Sequence, residues 1–188
     1  VPKKVDPQER RTRIADALMR VAAERGLEAV SLRHVAAEAG VSAGMVQHYF
    51  RTKDEMMVFA LDVVRERGQV RVSRAVAELG ENPEPRALLR TVISAILPRD
   101  EESRGDAKVG LAFLAYTAVR PEAAESLRKD VEEMIRYVQT LVPVPGGAEG
   151  LLAMMEGLGL YVIGGYYSLD QALKVLDAHL DLLFNAGP

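Results

Sequence analysis

Residues 38–50 read EAGVSAGMVQHYF, from Glu38 to Phe50, and at their centre Gly40, Val41, Ser42, Ala43 and Gly44 spell G-x-S-x-G. At that spacing many hydrolases carry a nucleophilic serine on a sharp strand-to-helix turn. The same residues also suit a short helix that ends on glycine and is followed by another that begins on a capping serine. An elbow needs a strand running into the serine, on a mostly parallel sheet. The incoming segment LRHVAAEA instead places Leu32, Val35, Ala36 and Ala39 on one helical face. Partners for a nucleophile are poor as well. His34 and His48 lie too close to Ser42 for a Ser–acid–His order, and His179 sits in an amphipathic C-terminal stretch. The pattern therefore predicts a helix cap at Ser42 and no enzyme, with a serine hydrolase using Ser42 as the disfavoured alternative.

Two short helices joined by a tight glycine turn form a helix-turn-helix, whose second helix can lie in the major groove of DNA. Ala36 is small where the helices must touch, Gly40 supplies the turn, and Val46 is the apolar plug that packs the second helix on the first. Val35, Ala39, Val41 and Tyr49 fill the remaining inner positions.

Working outward, nearly every segment has helical periodicity. Ile14, Ala17, Leu18, Val21 and Ala22 form one stripe of a first helix from Arg10 to Arg25, stopped by Gly26. Ser31 caps the second helix and Ser42 the third, which runs to about Tyr49. Thr52 and Glu55 offer a capping box for a long fourth helix reaching about Leu79. After the break GENPEP, further helices are expected at about 85–97, 101–118, 122–142, 149–167 and 170–184, punctuated by Pro98, Pro121, Pro143 to Gly147 and Ser168. No apolar/polar alternation bounded by hairpin turns stands out, so the expected fold is all-α. It has about nine helices: a three-helix head over residues 1–53 and a helical ligand-binding and dimerisation body over 54–188.

Composition narrows the function. The 188 residues are 48% apolar and 27% charged, as in ordinary globular proteins, and lack cysteine, which removes disulfide, thiolate and cysteine–zinc chemistry. No two of the three histidines share a helix at ligand spacing, so no metal and no cofactor are expected. The opening VPKKVDPQERRTR has no apolar core of a signal peptide, and the apolar window from Leu151 to Leu169 is interrupted by Glu156 and by glycines. A cytoplasmic protein with no membrane partner is expected. The net charge of −3 is uneven: residues 1–53 hold ten Lys and Arg against six Asp and Glu, a net +4, while the rest carries −7. An electropositive head points to an anionic partner.

Over about residues 8–60 the chain resembles the TetR family of bacterial transcriptional regulators. The resemblance rests on RIADALMRVAAERGLEAVSLRHVAAEAGVS, on a recognition helix ending in HYF, and on the RTKDEMM that follows. The closing GLGLYVIGGYYSLDQALKVLDAHLDLLF is similar to the dimerising end of the branch that includes the choline-responsive regulators. The resemblance implies that Lys53 binds a phosphate at the start of the fourth helix, that Ser31 and Arg33 touch the DNA backbone, and that the Tyr49 hydroxyl meets a phosphate, whereas spacing alone leaves Tyr49 divided between packing and contact. Ser42, Ala43 and Gly44 would allow close approach to the DNA. Gln47 suits bidentate reading of adenine, and His48 beside it is either a base or phosphate contact or an exposed side chain without a role. Lys3, Lys4, Arg10, Arg11 and Arg13 are either flanking contacts or a solvated charge run.

Helix-turn-helix modules usually act as dimers on half-sites about 34–36 Å apart. Leu169, Leu173, Leu176, Leu180 and Leu183 form an apolar stripe for such an interface, with Val175 and Leu182 on a second face. Gly157, Gly159, Gly164 and Gly165 would let backbones approach. Phe59, Ile93, Phe113, Tyr116, Met134, Tyr137 and Tyr161 are apolar or hydroxyl-bearing candidates for a small-molecule pocket, and equally for an ordinary core. The function implied is a ligand-responsive repressor, bound as a homodimer to a palindromic double-stranded DNA operator and released by a small, largely apolar effector. Control by a protein partner is the alternative.

Overall fold

The computed structural model describes residues 7–26, 29–118 and 124–185. Among these residues there are nine helices and no strand: α1 (Pro7–Arg25), α2 (Leu32–Ala39), α3 (Ala43–Tyr49), α4 (Lys53–Ala77), α5 (Pro85–Ile96), α6 (Glu101–Ala118), α7 (Ala124–Gln139), α8 (Gly147–Ile163) and α9 (Leu169–Asn185). The expected all-α architecture is what the chain adopts. No helix is long and apolar enough to cross a membrane, among the described residues.

The helices begin and end where local chemistry satisfies their free backbone groups. The Ser31 hydroxyl accepts the His34 N–H at 3.2 Å and the Ser42 hydroxyl accepts the Met45 N–H at 3.1 Å. Between them Gly40 takes the left-handed conformation, φ 66°, and its N–H returns to the carbonyls of Ala36 and Ala37. A side chain there would be strained, so the turn selects glycine. Thr52 accepts the Glu55 N–H at 3.0 Å, but the Glu55 carboxylate accepts from the Arg51 N–H at 2.9 Å, so the expected box closes one residue further out.

α1 starts earlier than expected, at Pro7, as does α8, at Gly147, and α4 ends at Ala77; two further helix ends also differ. The seventh helix stops at Gln139 instead of about 142, because the Thr140 hydroxyl donates to the Tyr137 carbonyl at 2.7 Å and the Gln139 amide reaches forward to the carbonyls of Val142 and Val144. Its expected start at 122, like Pro121, lies outside the described residues. The eighth helix stops at Ile163, where Gly164 and Gly165 turn the chain. α9 then starts from a reciprocal box: the Ser168 N–H donates to Gln171 Oε1 at 2.8 Å and the Gln171 N–H to the Ser168 hydroxyl at 3.2 Å.

The chain divides into two compact units. The first gathers the described residues up to Arg67 and those from Lys108 to Ala118, so it extends past the three-helix head. The reason is apolar burial. Met56, Met57 and Ala60 of α4 and Val109, Phe113 and Tyr116 of α6 are buried, as are Ile14, Val35 and Val46. Arg20 pairs with Glu38 at 2.7 Å between α1 and α2, and Arg67 of α4 pairs with Asp16 of α1 at 2.6 Å.

The second unit holds the described residues from Gly68 to Ala107 and from Ala124 to Asn185. One core joins Leu89, Ile93 and Leu97 to Leu151, Leu158 and Val162 of α8 and to Leu176 and Leu180 of α9. Beside it, Arg90 of α5 grips Asp177 of α9 at 2.6 Å, and Arg86 grips Asp181 at 2.6 Å. The hydrogen bond to Asp177 raises the Arg90 guanidinium further, and the same bond holds the Asp177 carboxyl below its ordinary range. At the start of α6, hydrogen bonds from Ser103 lower the Asp100 carboxyl.

Candidate nucleic-acid interface

The helix-turn-helix of the first unit presents one uncommitted face. Val46 is the only residue of α3 that is fully buried, and Phe50 closes the helix from below. With the plug fixed, helical geometry turns Gly44, Gln47 and His48 away from it, and these three are exposed together with Ala43, the first residue of the helix. Tyr49 is half-buried and receives the edge of the His48 ring, with centroids 5.3 Å apart. Met45 looks sideways, its sulfur 3.5 Å from the Arg10 guanidinium.

Gly44 has no reason inside the fold. Its backbone is helical, and a Cβ there would meet nothing closer than the Ser42 hydroxyl at 4.0 Å. A helical glycine costs about 0.5–1 kcal/mol relative to alanine. What the bare position offers is close approach from outside.

The flanking elements complete the surface. Ser31 and Arg33 stand at the start of α2, Ser31 half-buried in its capping role and Arg33 exposed. Ser42, exposed, caps α3, so its oxygen already holds a backbone N–H, and no strand enters it as a nucleophile elbow requires. Lys53 is the first residue of α4, half-buried. Among the five flanking cations, Arg11 turns inward, its guanidinium 4.6 Å from the Phe59 ring centroid and 5.4 Å from that of Phe50. Arg13 is exposed, while Lys3 and Lys4 lie outside the described residues.

The candidate pocket residues are shared between the two units. Phe59, Phe113 and Tyr116 belong to the first unit, and Ile93, Met134, Tyr137 and Tyr161 to the second. Phe59 packs on Phe50 at 5.4 Å, Tyr116 donates its hydroxyl to Asp54, and Ile93 is part of the core. Met134, Tyr137 and Tyr161 are exposed, Tyr137 by 59%, because α7 turns its Val131–Met134–Tyr137 edge outward and Tyr161 packs on Tyr166 and Tyr167 beyond the end of α8.

The leucines of the expected interface stripe lie at the core of the second unit. Leu176 and Leu180 are 0% exposed and Leu183 is buried with them, while Leu169 and Leu173 pack against the same core. The outward face of α9 is the other one, with Val175 40% and Leu182 71% exposed. Of the glycines, Gly157 and Gly159 leave open space around a would-be Cβ. A Cβ at Gly164 would lie 2.8 Å from the Tyr166 ring, and Gly165 has φ 73°, so these two serve the turn. Two signals were not readable in sequence: the Tyr116–Asp54 pair, 62 positions apart, and the Arg86 and Arg90 contacts to α9.

A capped helix-turn-helix with an outward polar recognition helix defines the class of DNA-binding regulators. The sequence pattern of bacterial regulatory proteins of the tetR family matches residues 14–58, and that of the C-terminal domain of BetI-type transcriptional repressors matches residues 85–185. The chain is 31% identical over 174 residues to the HTH-type transcriptional regulator PksA of Bacillus subtilis, covering 87% of this chain and 83% of that protein. A transcriptional regulator from Rhodococcus shares the structure with a TM-score of 0.83 and 36% identity, over 93% of this chain and 96% of that one. The multidrug binding protein EbrR, solved with malachite green, follows at a TM-score of 0.66 and 31% identity, over 91% of this chain and 98% of that one. The chain belongs to the TetR family of bacterial transcriptional regulators. It is a DNA-binding regulator of transcription and not an enzyme.

Proposed function

We propose that this regulator is a ligand-responsive repressor that binds a palindromic operator in the cytoplasm as a homodimer. The observation that carries the proposal is the outward face of α3, where Gly44, Gln47 and His48 are exposed and internal packing does not call for a glycine. Ser42, Ala43 and Gly44 allow backbone approach to phosphate, Gln47 reads a base edge, and His48 and Tyr49 flank it. Ser31, Arg33 and Lys53 grip the phosphates on either side. Residues 1–53 read DNA, and 54–188 sense and dimerise.

Dimerisation would use the exposed face of α9, Val175 and Leu182, together with Gly157 and Leu160 of α8, half-buried and exposed respectively. Two heads held about 34–36 Å apart then match successive turns of one DNA face. The similarity of residues 85–185 to BetI-type repressors supports repression, and the relation to a multidrug binding protein supports a small, largely apolar effector. Such an effector releases DNA only by binding two states of the dimer unequally; a coupling of about 1–3 kcal/mol changes affinity roughly 5–150-fold.

The test is fluorescence anisotropy on DNA fragments selected from the genome, set against random DNA over a range of salt. Preference for the selected DNA by at least ~10³ with a steep salt slope is expected. Equal, weak binding to both would remove the proposal.

A further inference from the structure

We propose that Tyr116 is a positioning residue for DNA binding: its hydroxyl holds the Asp54 carboxylate away from the DNA phosphates that Lys53 and the start of α4 receive. The inference rests on the DNA-binding role of this head.

The geometry lies within the first unit. The C-terminal half of α6 turns a stripe of Val109, Phe113, Tyr116 and Thr117 inward, all buried. Tyr116 is buried, 9% exposed, and its ring lies tilted beside that of Phe113 with centroids 6.3 Å apart. That hydroxyl donates to Asp54 Oδ1. Asp54 is the second residue of α4, directly after Lys53, and is exposed.

A carboxylate in the first turn of a helix is drawn to the free N–H groups and positive dipole end there. These are the groups that attract a phosphate. An unrestrained Asp54 therefore competes with DNA by repelling the phosphate charge at the start of α4, where Thr52 already holds the Glu55 N–H. A buried phenol that fixes the carboxylate from the α6 side removes that competition. Tyr116 touches no DNA in this arrangement and acts through Asp54.

The experiment compares four forms of the full chain: wild type, Tyr116→Phe, Asp54→Asn and the double variant. Each is titrated by fluorescence anisotropy into labelled random-sequence duplex DNA and into duplex selected from genomic fragments, at low and high salt. Circular dichroism melting checks that each is folded. Tyr116→Phe keeps the ring and its packing, and is expected to weaken binding to both DNAs by about five- to tenfold, mostly at low salt, as a nearby like charge does. Asp54→Asn binds as tightly as wild type or tighter. The double variant recovers wild-type affinity, because the freed group no longer carries charge.

A purely structural hydrogen bond predicts the opposite for the double variant, which would stay as weak as Tyr116→Phe or become weaker. That result overturns the inference while the DNA-binding role stands. So does a folded Tyr116→Phe that binds like wild type. A wild-type chain that binds neither DNA overturns the role of the head, and the inference with it.

Discussion

Helices α3 and α9 carry the two surfaces on which the proposed function depends, and they differ in how the direction of a side chain is settled. α3 has seven residues and one buried plug, Val46. Gly40 turns the chain into it and Ser42 caps it, so once Val46 points inward the outward set follows from a rotation of about 100° per residue. α9 has 17 residues with leucines and valine on two faces. Leu176, Leu180 and Leu183 enter the core, while Val175 and Leu182 stay outside. Periodicity marks the five-leucine stripe as the stronger face but does not say whether it meets the chain's own core or a second copy. The rotation of α9 is settled by the core it shares with α5 and α8, and Arg86 and Arg90 of α5 add pairs to Asp181 and Asp177 beside it. Local caps orient a short helix; a long helix with two apolar faces is oriented by its neighbours.

The contrast breaks first, if it breaks, inside α9. Leu176→Ala is expected to cost about 2–5 kcal/mol in urea unfolding, as large-to-small changes in a closed core do. Leu182→Ala should leave protomer folding nearly unchanged and instead shift the concentration at which dimers dissociate in analytical ultracentrifugation. Equal unfolding losses from the two would erase the inner and outer faces.

On the α3 side the expected effects are smaller and fall on DNA. Gln47→Ala should lose about 1–3 kcal/mol of discrimination between selected and random duplexes with protein stability unchanged. A loss shared equally by both duplexes would reassign Gln47 to general contact. Gly44→Ala sharpens the point, because folding and function should move in opposite directions. Thermal unfolding is expected to improve by about 0.5–1 kcal/mol, while affinity for the selected duplex falls as the added methyl blocks approach. Improvement in both would show that the bare position serves nothing.

The smallest effect concerns the pairs that Arg86 and Arg90 make with α9. Asp177 is held below its ordinary 3.8 by the hydrogen bond from Arg90. A carboxyl depressed in the folded state contributes stability that is present above its unfolded pKa and lost as pH falls through the folded value. Acid titration of stability should therefore show a small loss below about pH 4 that Asp177→Asn removes. Glu156 behaves inversely: desolvation among the apolar residues of α8 raises its carboxyl above 4.5 although the residue is exposed in the single chain. Its folding preference is for the protonated form, lost as pH rises through the raised value, so Glu156→Gln should add slightly to stability at neutral pH. A Glu156→Gln protein less stable than the parent would point to a partner for the carboxylate in the proposed dimer.

Much of the fold was legible because its signals are local. Ser31, Gly40, Ser42 and Thr52 announce helix ends through bonds that span three or four residues, and each makes such a bond. The same locality made the G-x-S-x-G ambiguity resolvable, since a helical run into Ser42 leaves no strand for an elbow. The Gln139 reach to Val142 and Val144 is local as well, but a glutamine near a helix end carries no equally specific signal.

The amino-acid order by itself determined the helices of the described residues, the helix-turn-helix and the outward face of α3, because hydrogen-bond satisfaction and periodicity act within a few residues. Tertiary structure alone decided which leucines of α9 are core, that Met134, Tyr137 and Tyr161 face outward, and that Tyr116 meets Asp54. Those outcomes depend on which apolar faces close on each other and which distant charges pair, and a contact across 62 positions leaves no trace in the periodicity of either helix.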